Sequence, residues 1–298
     1  MSFSIIDCHQ HFWRLGQGNY PWLEAPDAPP HRYGPITPLL ADYLPANYRR
    51  DTAGFDIAGT VHMEAEWNPA DPLGETRWLH DLAEADGLPS AIIGQAWFAR
   101  EDIADVLIGH AAYPLVRGIR QKPAATPRPG EYQPGLPGSM SDPVWRRGYA
   151  LLAGHGLHYE LQTRYWHLGE AAALARDFPD TAIVVNHAGV PEDRGDPGLA
   201  AWRAGMAELA AQPNVSVKVS GTGEAGQPWT LERQATVIED VIRIFGVDRC
   251  MFASNFPVDR LVGSFATIFD GFLTATENFH DGDRRKMFHD NAVAIYRL

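Results

Sequence analysis

Eight short apolar runs recur along the chain, each bounded by turn residues and most of them separated by an interval long enough for a helix. Because parallel strands need a crossover connection, usually a helix, this alternation predicts a parallel α/β fold. The strand-like runs span residues 4–9, 59–64, 91–96, 115–120, 157–162, 182–187, 215–219 and 250–255. Helical character is found at residues 75–86, 101–111, 142–155, 168–178, 197–212, 230–245 and 262–279.

The number of strand–helix units favours their closure into one barrel. A doubly wound sheet is the alternative, but the chain has neither a Gly-x-Gly-x-x-Gly turn nor a phosphate-binding loop. A length of 298 residues is ordinary for a single barrel. We therefore expect a (β/α)8 TIM barrel that forms one domain over residues 1–298.

Two intervals are too rich in proline for simple crossover helices, and we expect both to be loops over the C-terminal face of the barrel. The first, residues 13–55, contains Tyr20-Pro21-Trp22 and Pro26, Pro29, Pro30, Pro35 and Pro38. The second, residues 122–138, contains Pro123, Pro127, Pro129, Pro134 and Pro137.

The charge composition excludes several classes of partner. The chain has 25 Lys and Arg against 37 Asp and Glu, a net charge of −12, which repels phosphate backbones and anionic lipids. We expect neither nucleic acid nor a membrane surface as a partner. Two cysteines give no disulfide framework and no cysteine-rich zinc module. Since the sequence shows no secretory signal and no long apolar segment, we expect a cytoplasmic location.

Polar side chains occur at the predicted carboxyl ends of the strands, where ligands of parallel barrels bind. His9 and His11 close the first strand two residues apart, so both imidazoles point to one face. Such a pair can bind one metal ion or hold one substrate oxygen, and ordinary hydrogen-bonding histidines are the alternative. His62 and Glu64 share a face at the end of the second strand.

Three cations, Arg120, Lys122 and Lys218, approach the same end of the barrel. In an acidic protein, cations at a pocket indicate that a carboxylate is bound or an oxyanion is stabilised. His158, Glu160 and Gln162 share one face of the fifth strand and require polar partners if they are buried. The alternative for Glu160 is a purely interior ion pair with Arg120 or Lys218.

Four segments together carry a resemblance to a known family. They are Asp7-Cys8-His9-Gln10-His11-Phe12-Trp13, Val116-Arg117-Gly118-Ile119-Arg120, Val184-Val185-Asn186-His187-Ala188-Gly189 and Ser254-Asn255-Phe256-Pro257-Val258-Asp259. A His-x-His after the first strand, a His after the sixth and an aromatic-Pro pair after the eighth resemble the amidohydrolase superfamily. The resemblance is to its amidohydrolase-related lactonase branch, which includes 2-pyrone-4,6-dicarboxylate lactonases and fuconolactonases.

This resemblance implies a hydrolase that opens a small cyclic ester, such as a sugar lactone or a pyrone or muconate-type lactone, by attack of water on the carbonyl. It makes His9, His11 and His187 candidate metal-binding or carbonyl-binding residues and Arg120 a substrate contact. One divalent ion, Zn²⁺ or Mn²⁺, or catalysis without metal are both open. A two-metal centre is not expected, because His158 lies deeper than the strand end.

One position departs from the superfamily pattern. An aspartate that takes the proton from water usually follows the eighth strand, whereas this chain has Asn255, and an amide is not a base. Asp259 could supply the carboxylate, or it could cap the helix that follows. Glu160 and His187 are the other candidate bases.

The ligand implied is a small molecule that carries a carboxylate or hydroxyl groups. Trp13, Trp97 and the segment at residues 20–22 are expected to cover an apolar or sugar-ring face of it, with His62, Glu64, Lys122, Gln162 and Lys218 as further contacts. A homo-oligomer is compatible with the sequence. Two rival functions are a metal-dependent decarboxylase on the same barrel and a non-catalytic protein that binds sugar acids or lactones.

Overall fold

A computed structural model describes residues 3–25 and 31–298 of the chain. Eight strands form one parallel sheet in sequence order, each paired with the next. They are β1 (Ile5–Gln10), β2 (Ile57–Met63), β3 (Ala91–Gln95), β4 (Val116–Arg120), β5 (His158–Leu161), β6 (Ile183–Val185), β7 (Val215–Val219) and β8 (Cys250–Phe252). The predicted (β/α)8 TIM barrel is confirmed.

The barrel closes between β1 and β8 just beyond the end of β8. The backbone N–H of Asn255 donates to the carbonyl of His9 at 2.8 Å, and that of His11 donates to the carbonyl of Phe256 at 2.7 Å. Asp7 reinforces the closure, because its carboxylate accepts from the hydroxyl of Ser254 at 2.6 Å. The ends of the first and last strands are therefore held side by side.

Helices occupy the intervals between strands. They are α1 (Pro21–Glu24), α2 (Pro45–Asp51), α3 (Gly74–Asp86), α4 (Ile103–Ala111), α5 (Pro143–Tyr149), α6 (Leu151–Gly154), α7 (Leu168–Asp177), α8 (Asp196–Ala210), α9 (Leu231–Phe245), α10 (Phe265–Ala275), α11 (Asp281–Arg285) and α12 (Asn291–Tyr296). In the described part of the chain, none of them combines the length and the apolarity that crossing a membrane requires.

The expectation of a loop throughout residues 13–55 is wrong at two places, since α1 and α2 lie within that interval. Both helices begin at a proline, which is tolerated in the first turn because that N–H has no helical partner. The helix α2 supplies the crossover from β1 to β2. Pro26, Pro29 and Pro30 lie outside the described residues.

The barrel is filled by side chains rather than open along its axis. Apolar residues of alternate strand positions, including Val61, Ile93 and Met251, form an interior cluster that Tyr296 of α12 joins. A larger cluster lies between the strands and the helices, so the strands are buried on both faces, as parallel sheets require. Ligands can therefore approach from the C-terminal ends of the strands.

A charged network crosses this interior. The carboxylate of Glu160 lies 2.9 Å from the ammonium of Lys218, and both side chains are fully buried. Tyr296 donates to Glu160 at 2.7 Å and Asn186 donates at 2.5 Å. Burial acts to raise the pKa of Glu160, but Lys218, His158 and Tyr296 outweigh it and lower that pKa to about 2. Glu160 thus forms the interior ion pair that the sequence left as the alternative to a base.

We expect Glu160→Gln to lower the free energy of unfolding at pH 7 by about 3 kcal/mol, because it leaves the Lys218 ammonium buried without a counter-charge. In the wild type, the stabilisation by Glu160 is present above the usual glutamate pKa and is lost as the pH falls towards about 2. Urea denaturation measures the change.

The matched control is the double variant Glu160→Gln, Lys218→Met, which removes both charges and should recover at least half of the loss. A single variant as stable as the wild type, or a double variant less stable than the single one, would contradict the interior role.

Candidate active site

Three histidines converge at the mouth of the barrel. The ring centroid of His9 lies 4.6 Å from that of His187 and 5.2 Å from that of His11. His9 and His11 come from the end of β1, and His187 follows β6 with a left-handed backbone at φ 54°. All three rings are buried. The structure therefore brings together the three residues that the sequence nominated as metal-binding or carbonyl-binding.

These histidines are neutral near pH 7. Burial, reinforced by Arg120, lowers the pKa of His11 to about 3. Burial together with the neighbouring charges also lowers the pKa of His9 and His187 well below the usual histidine value. Each ring therefore has one nitrogen with a lone pair to offer.

The hydrogen bonds fix the tautomer of His11. Its Nδ1 lies 2.8 Å from the carbonyl of Met63, which can only accept, so Nδ1 carries the proton and Nε2 the lone pair. That Nε2 faces Oδ1 of Asn255 at 3.3 Å. Two acceptors thus face each other in the wall of the mouth with no proton between them.

The three histidines offer the kind of donor atom that a divalent cation prefers, although no choice of one nitrogen from each ring places all three within 4.8 Å of one another, so the rings must turn to hold one ion. Neither ring nitrogen of His9 has a hydrogen-bond partner within residues 3–25 and 31–298, although both are buried. His187 uses only Nδ1, which lies 3.0 Å from the hydroxyl of Ser220. Neutral imidazole nitrogens are common zinc ligands, so His9, His11 and His187 are the residues that could hold such an ion.

Asn255 is held by a carboxyl group behind it. Its Nδ2 donates to Oδ1 of Asp259 at 2.6 Å, which turns its own Oδ1 towards His11. Burial raises the pKa of Asp259 to about 6, against the lowering effect of Arg32 and of Asn255. The helix α10 is capped by Ser264 instead, whose hydroxyl accepts from the N–H of Thr267 at 3.0 Å. The capping alternative for Asp259 is therefore wrong.

The cavity between the strand ends has a volume of about 80 Å³ and opens to solvent. It is lined by His11, Trp22, His31, Arg32, Ala65, Glu66, Arg120, Lys122, Gln162, His187, Asn255 and Val258. The sequence analysis missed His31, Arg32, Glu66 and Val258. His31 and Arg32 belong to the irregular β1–α2 segment, where no periodicity indicates which side chains turn inwards.

Several nominated residues do not line this cavity. Trp13 is fully buried beneath the β1–α2 segment, where its indole N–H donates to the carbonyl of Ala41 at 2.8 Å. His62 accepts from the N–H of Phe12 at 3.0 Å, which anchors the chain next to His11 instead of reaching the mouth. Trp97 is half-buried away from the cavity.

The nominated cations are already paired with carboxylates of the chain. Nε of Arg120 donates to Oε1 of Glu64 at 2.5 Å. Glu64, which was also nominated as a substrate contact, is therefore bonded within the protein. Lys122 forms an ion pair with Glu66. Lys218 lies in the barrel interior below the mouth, because its position on β7 is deeper than the strand end.

Comparison with known proteins agrees with this architecture. The amidohydrolase family model matches residues 6–298. The chain is 39% identical over 295 residues to the uncharacterized protein y4mH of Sinorhizobium fredii, with 99% of each chain covered. It is 28% identical over 299 residues to an L-fucono-1,5-lactonase of Burkholderia ambifaria, with 98% of this chain and 95% of the relative covered.

A solved structure of an amidohydrolase from Burkholderia multivorans with bound zinc has the same fold, with a TM-score of 0.82 at 25% identity. The alignment covers 99% of this chain and 100% of that one. The family model and the solved structure each match nearly the whole length of the chain. The chain therefore belongs to the amidohydrolase family and is a hydrolase.

Proposed function

We propose that this protein is a lactonase, which opens a small cyclic ester by attack of water on the ring carbonyl. The observation that carries the proposal is the set of neutral histidines at the mouth. Among them, the lone pair on Nε2 of His11 lies opposite Oδ1 of Asn255. Its similarity to L-fucono-1,5-lactonases supports the cyclic ester as the substrate.

In this reaction the oxygen of water bonds to the carbonyl carbon, and the bond from that carbon to the ring oxygen breaks. The ring oxygen takes up one proton, and the new carboxyl group releases the other near neutral pH. The product is a hydroxy acid, so turnover acidifies the solution.

His9, His11 and His187 would hold a divalent ion. When bound there, such an ion would supply hydroxide near neutral pH by lowering the pKa of a water molecule. In catalysis without metal, the free Nε2 of His187, which lines the cavity, would instead contact the substrate carbonyl. Asn255 is neutral and cannot retain a proton, but its Oδ1 can accept a hydrogen bond that orients the attacking water.

Asp259 acts through Asn255 as a positioning residue. When ionised, it accepts from Nδ2 of Asn255 and leaves Oδ1 turned towards His11. When protonated, it can donate to Oδ1 instead, which turns the amide around. The orientation that serves hydrolysis therefore requires the ionised form of Asp259.

We expect hydrolysis of at least one lactone in a panel of sugar lactones and pyrone or muconate-type lactones, followed with a pH indicator. His187→Ala should reduce turnover by at least about 100-fold, since it removes a group that contacts the reacting carbonyl. His187→Asn keeps a residue that tolerates the left-handed backbone and separates loss of function from misfolding. His280→Ala, at an exposed histidine, is the control.

The same panel is run on protein treated with chelator and on protein reconstituted with Zn²⁺ or Mn²⁺. Activity restored only by metal supports the histidine metal site. Near-normal turnover by His187→Ala overturns the assignment of His187. Release of CO₂ without a ring-opened acid would show that the protein is a decarboxylase and not a lactonase.

The pH dependence of kcat/KM tests the role of Asp259. Since burial raises its pKa to about 6, we expect kcat/KM to fall as the pH decreases through that value. Asp259→Asn should lose this acid limb and retain activity within about 10-fold, because its amide oxygen still accepts from Asn255. Asp259→Leu, which cannot accept, should lose far more. An inactive Asp259→Asn variant would show instead that the carboxylate itself takes the proton.

A further inference from the structure

The cations at the mouth differ in whether their charge is already balanced. Arg120 and Lys122 are paired with Glu64 and Glu66. On the neighbouring rim, Arg164 pairs with Glu192 at 2.5 Å and Arg233 lies 3.8 Å from Glu224. These four cations have internal counter-charges and gain little from an anionic ligand.

Arg32 and Arg194 are bonded only to neutral oxygens. Nη2 of Arg32 donates to the hydroxyl of Tyr33 at 2.8 Å and to the carbonyl of Gly221 at 2.9 Å. Nη2 of Arg194 donates to the carbonyl of Thr222 at 2.7 Å. Within the described ranges, 3–25 and 31–298, neither guanidinium has a carboxylate at salt-bridge distance, and both are half-buried.

A cavity of about 500 Å³ lies between these two arginines on the β6 and β7 side of the mouth. Arg32 lines both this cavity and the one that contains His187, so the two spaces adjoin. A methyl group built on Gly221 would lie 2.3 Å from Nδ1 of His187 and 2.8 Å from Nη2 of Arg32. A small molecule with its carbonyl at His187 can therefore reach Arg32.

Within residues 3–25 and 31–298, the charges of Asp259 and Glu224 act on Arg32 and Arg194 only from beyond salt-bridge distance, so both guanidiniums can still gain from an anion. Burial lowers the pKa of Arg194 and the neighbouring charge of Arg32 lowers it further, while Glu224 and Tyr33 only partly compensate. The planar fork of a guanidinium matches a carboxylate and binds it through two parallel hydrogen bonds. We therefore take a carboxylate as the anion that these two guanidiniums would bind.

We propose that Arg32 and Arg194 form an anion subsite, and that the lactone opened by this protein carries a carboxylate besides its ring ester. The second clause rests on the lactonase function proposed above. The ring ester lies at the histidines, and the carboxylate extends towards β6 and β7. Arg120 and Lys122, which the sequence nominated for this task, keep their internal partners.

The first experiment compares two lactones with the same ring and a substituent of similar size, the anionic γ-carboxy-γ-butyrolactone and the neutral γ-hydroxymethyl-γ-butyrolactone. We expect kcat/KM to be at least about 10-fold higher for the carboxylated lactone, and Arg194→Gln to reduce that ratio by about 10-fold through a higher KM. Arg243→Gln, at an exposed arginine of α9, is the matched control and should leave the ratio unchanged.

The second experiment measures binding without turnover, by calorimetric titration with glutarate and with its uncharged diamide, glutaramide. We expect glutarate alone to bind, more weakly as the salt concentration rises, and Arg32→Gln and Arg194→Gln each to weaken it by about 10-fold. Arg194→Lys keeps the charge and serves if the glutamine variant does not fold.

The outcomes separate the two proposals. If no lactone of this pair or of the panel above is hydrolysed but glutarate binding depends on both arginines, the subsite stands and the lactonase function fails. If both lactones are hydrolysed equally and Arg194→Gln changes neither their ratio nor glutarate binding, the lactonase function stands and the subsite is overturned.

Discussion

The backbone bonds that close the barrel between β1 and β8 are the constraint on which the candidate site depends. They join the carbonyl of His9 to the N–H of Asn255, residues far apart in the sequence. The left-handed backbone at Asn255, φ 55°, then turns its amide towards His11. Such a conformation costs of order 1 kcal/mol for a residue with a side chain, although asparagine tolerates it better than most. The hydrogen bond from Nδ2 of Asn255 to Asp259 holds that turn in place.

Charge is distributed unevenly along the axis of the barrel. Below the mouth, Glu160 and Lys218 neutralise each other in a fully buried network that Tyr296 completes from the last helix. At the mouth, burial keeps the histidines neutral, so their lone pairs remain free for a ligand. The ion pair of Glu160 and Lys218 therefore links β5 to β7 inside the barrel. The three histidines of the candidate site lie nearer the mouth, at the carboxyl ends of β1 and β6.

The sequence predicts the fold well because most strand positions are buried, so each strand carries several apolar residues between turn residues even where charged groups such as Glu160 and Lys218 interrupt the run. The end of a strand is equally visible, so His9, His11, His187 and Asn255 could be nominated from position and motif. Which side chain actually reaches the cavity depends on what packs over it. Trp13 is covered by the segment around Ala41, and that arrangement follows from tertiary packing rather than from any local pattern.

For the cations at the mouth, too, the sequence does not show which groups they contact. The sequence shows that Arg120, Lys122 and Lys218 lie near the ends of strands, but it does not show that each has a carboxylate partner. Nothing in the sequence pattern marks Arg32 as a residue of the site, because it lies in a proline-rich segment without periodicity. Its partners, Tyr33 and the carbonyl of Gly221, are defined only when the barrel brings β7 to that segment.

Two features make the charge at the mouth more positive. Asn255 is neutral where the family pattern has a carboxylate, which removes one negative charge from the wall of the mouth. Arg32 adds a cation beside His187 whose hydrogen bonds reach only neutral oxygens within the described residues. Burial raises the pKa of Asp259, a carboxyl group close behind this wall, to about 6, so Asp259 loses its charge at a higher pH than an ordinary aspartate. If the proposed subsite exists, a mouth with this charge distribution attracts an anionic ring ester more strongly than a neutral one.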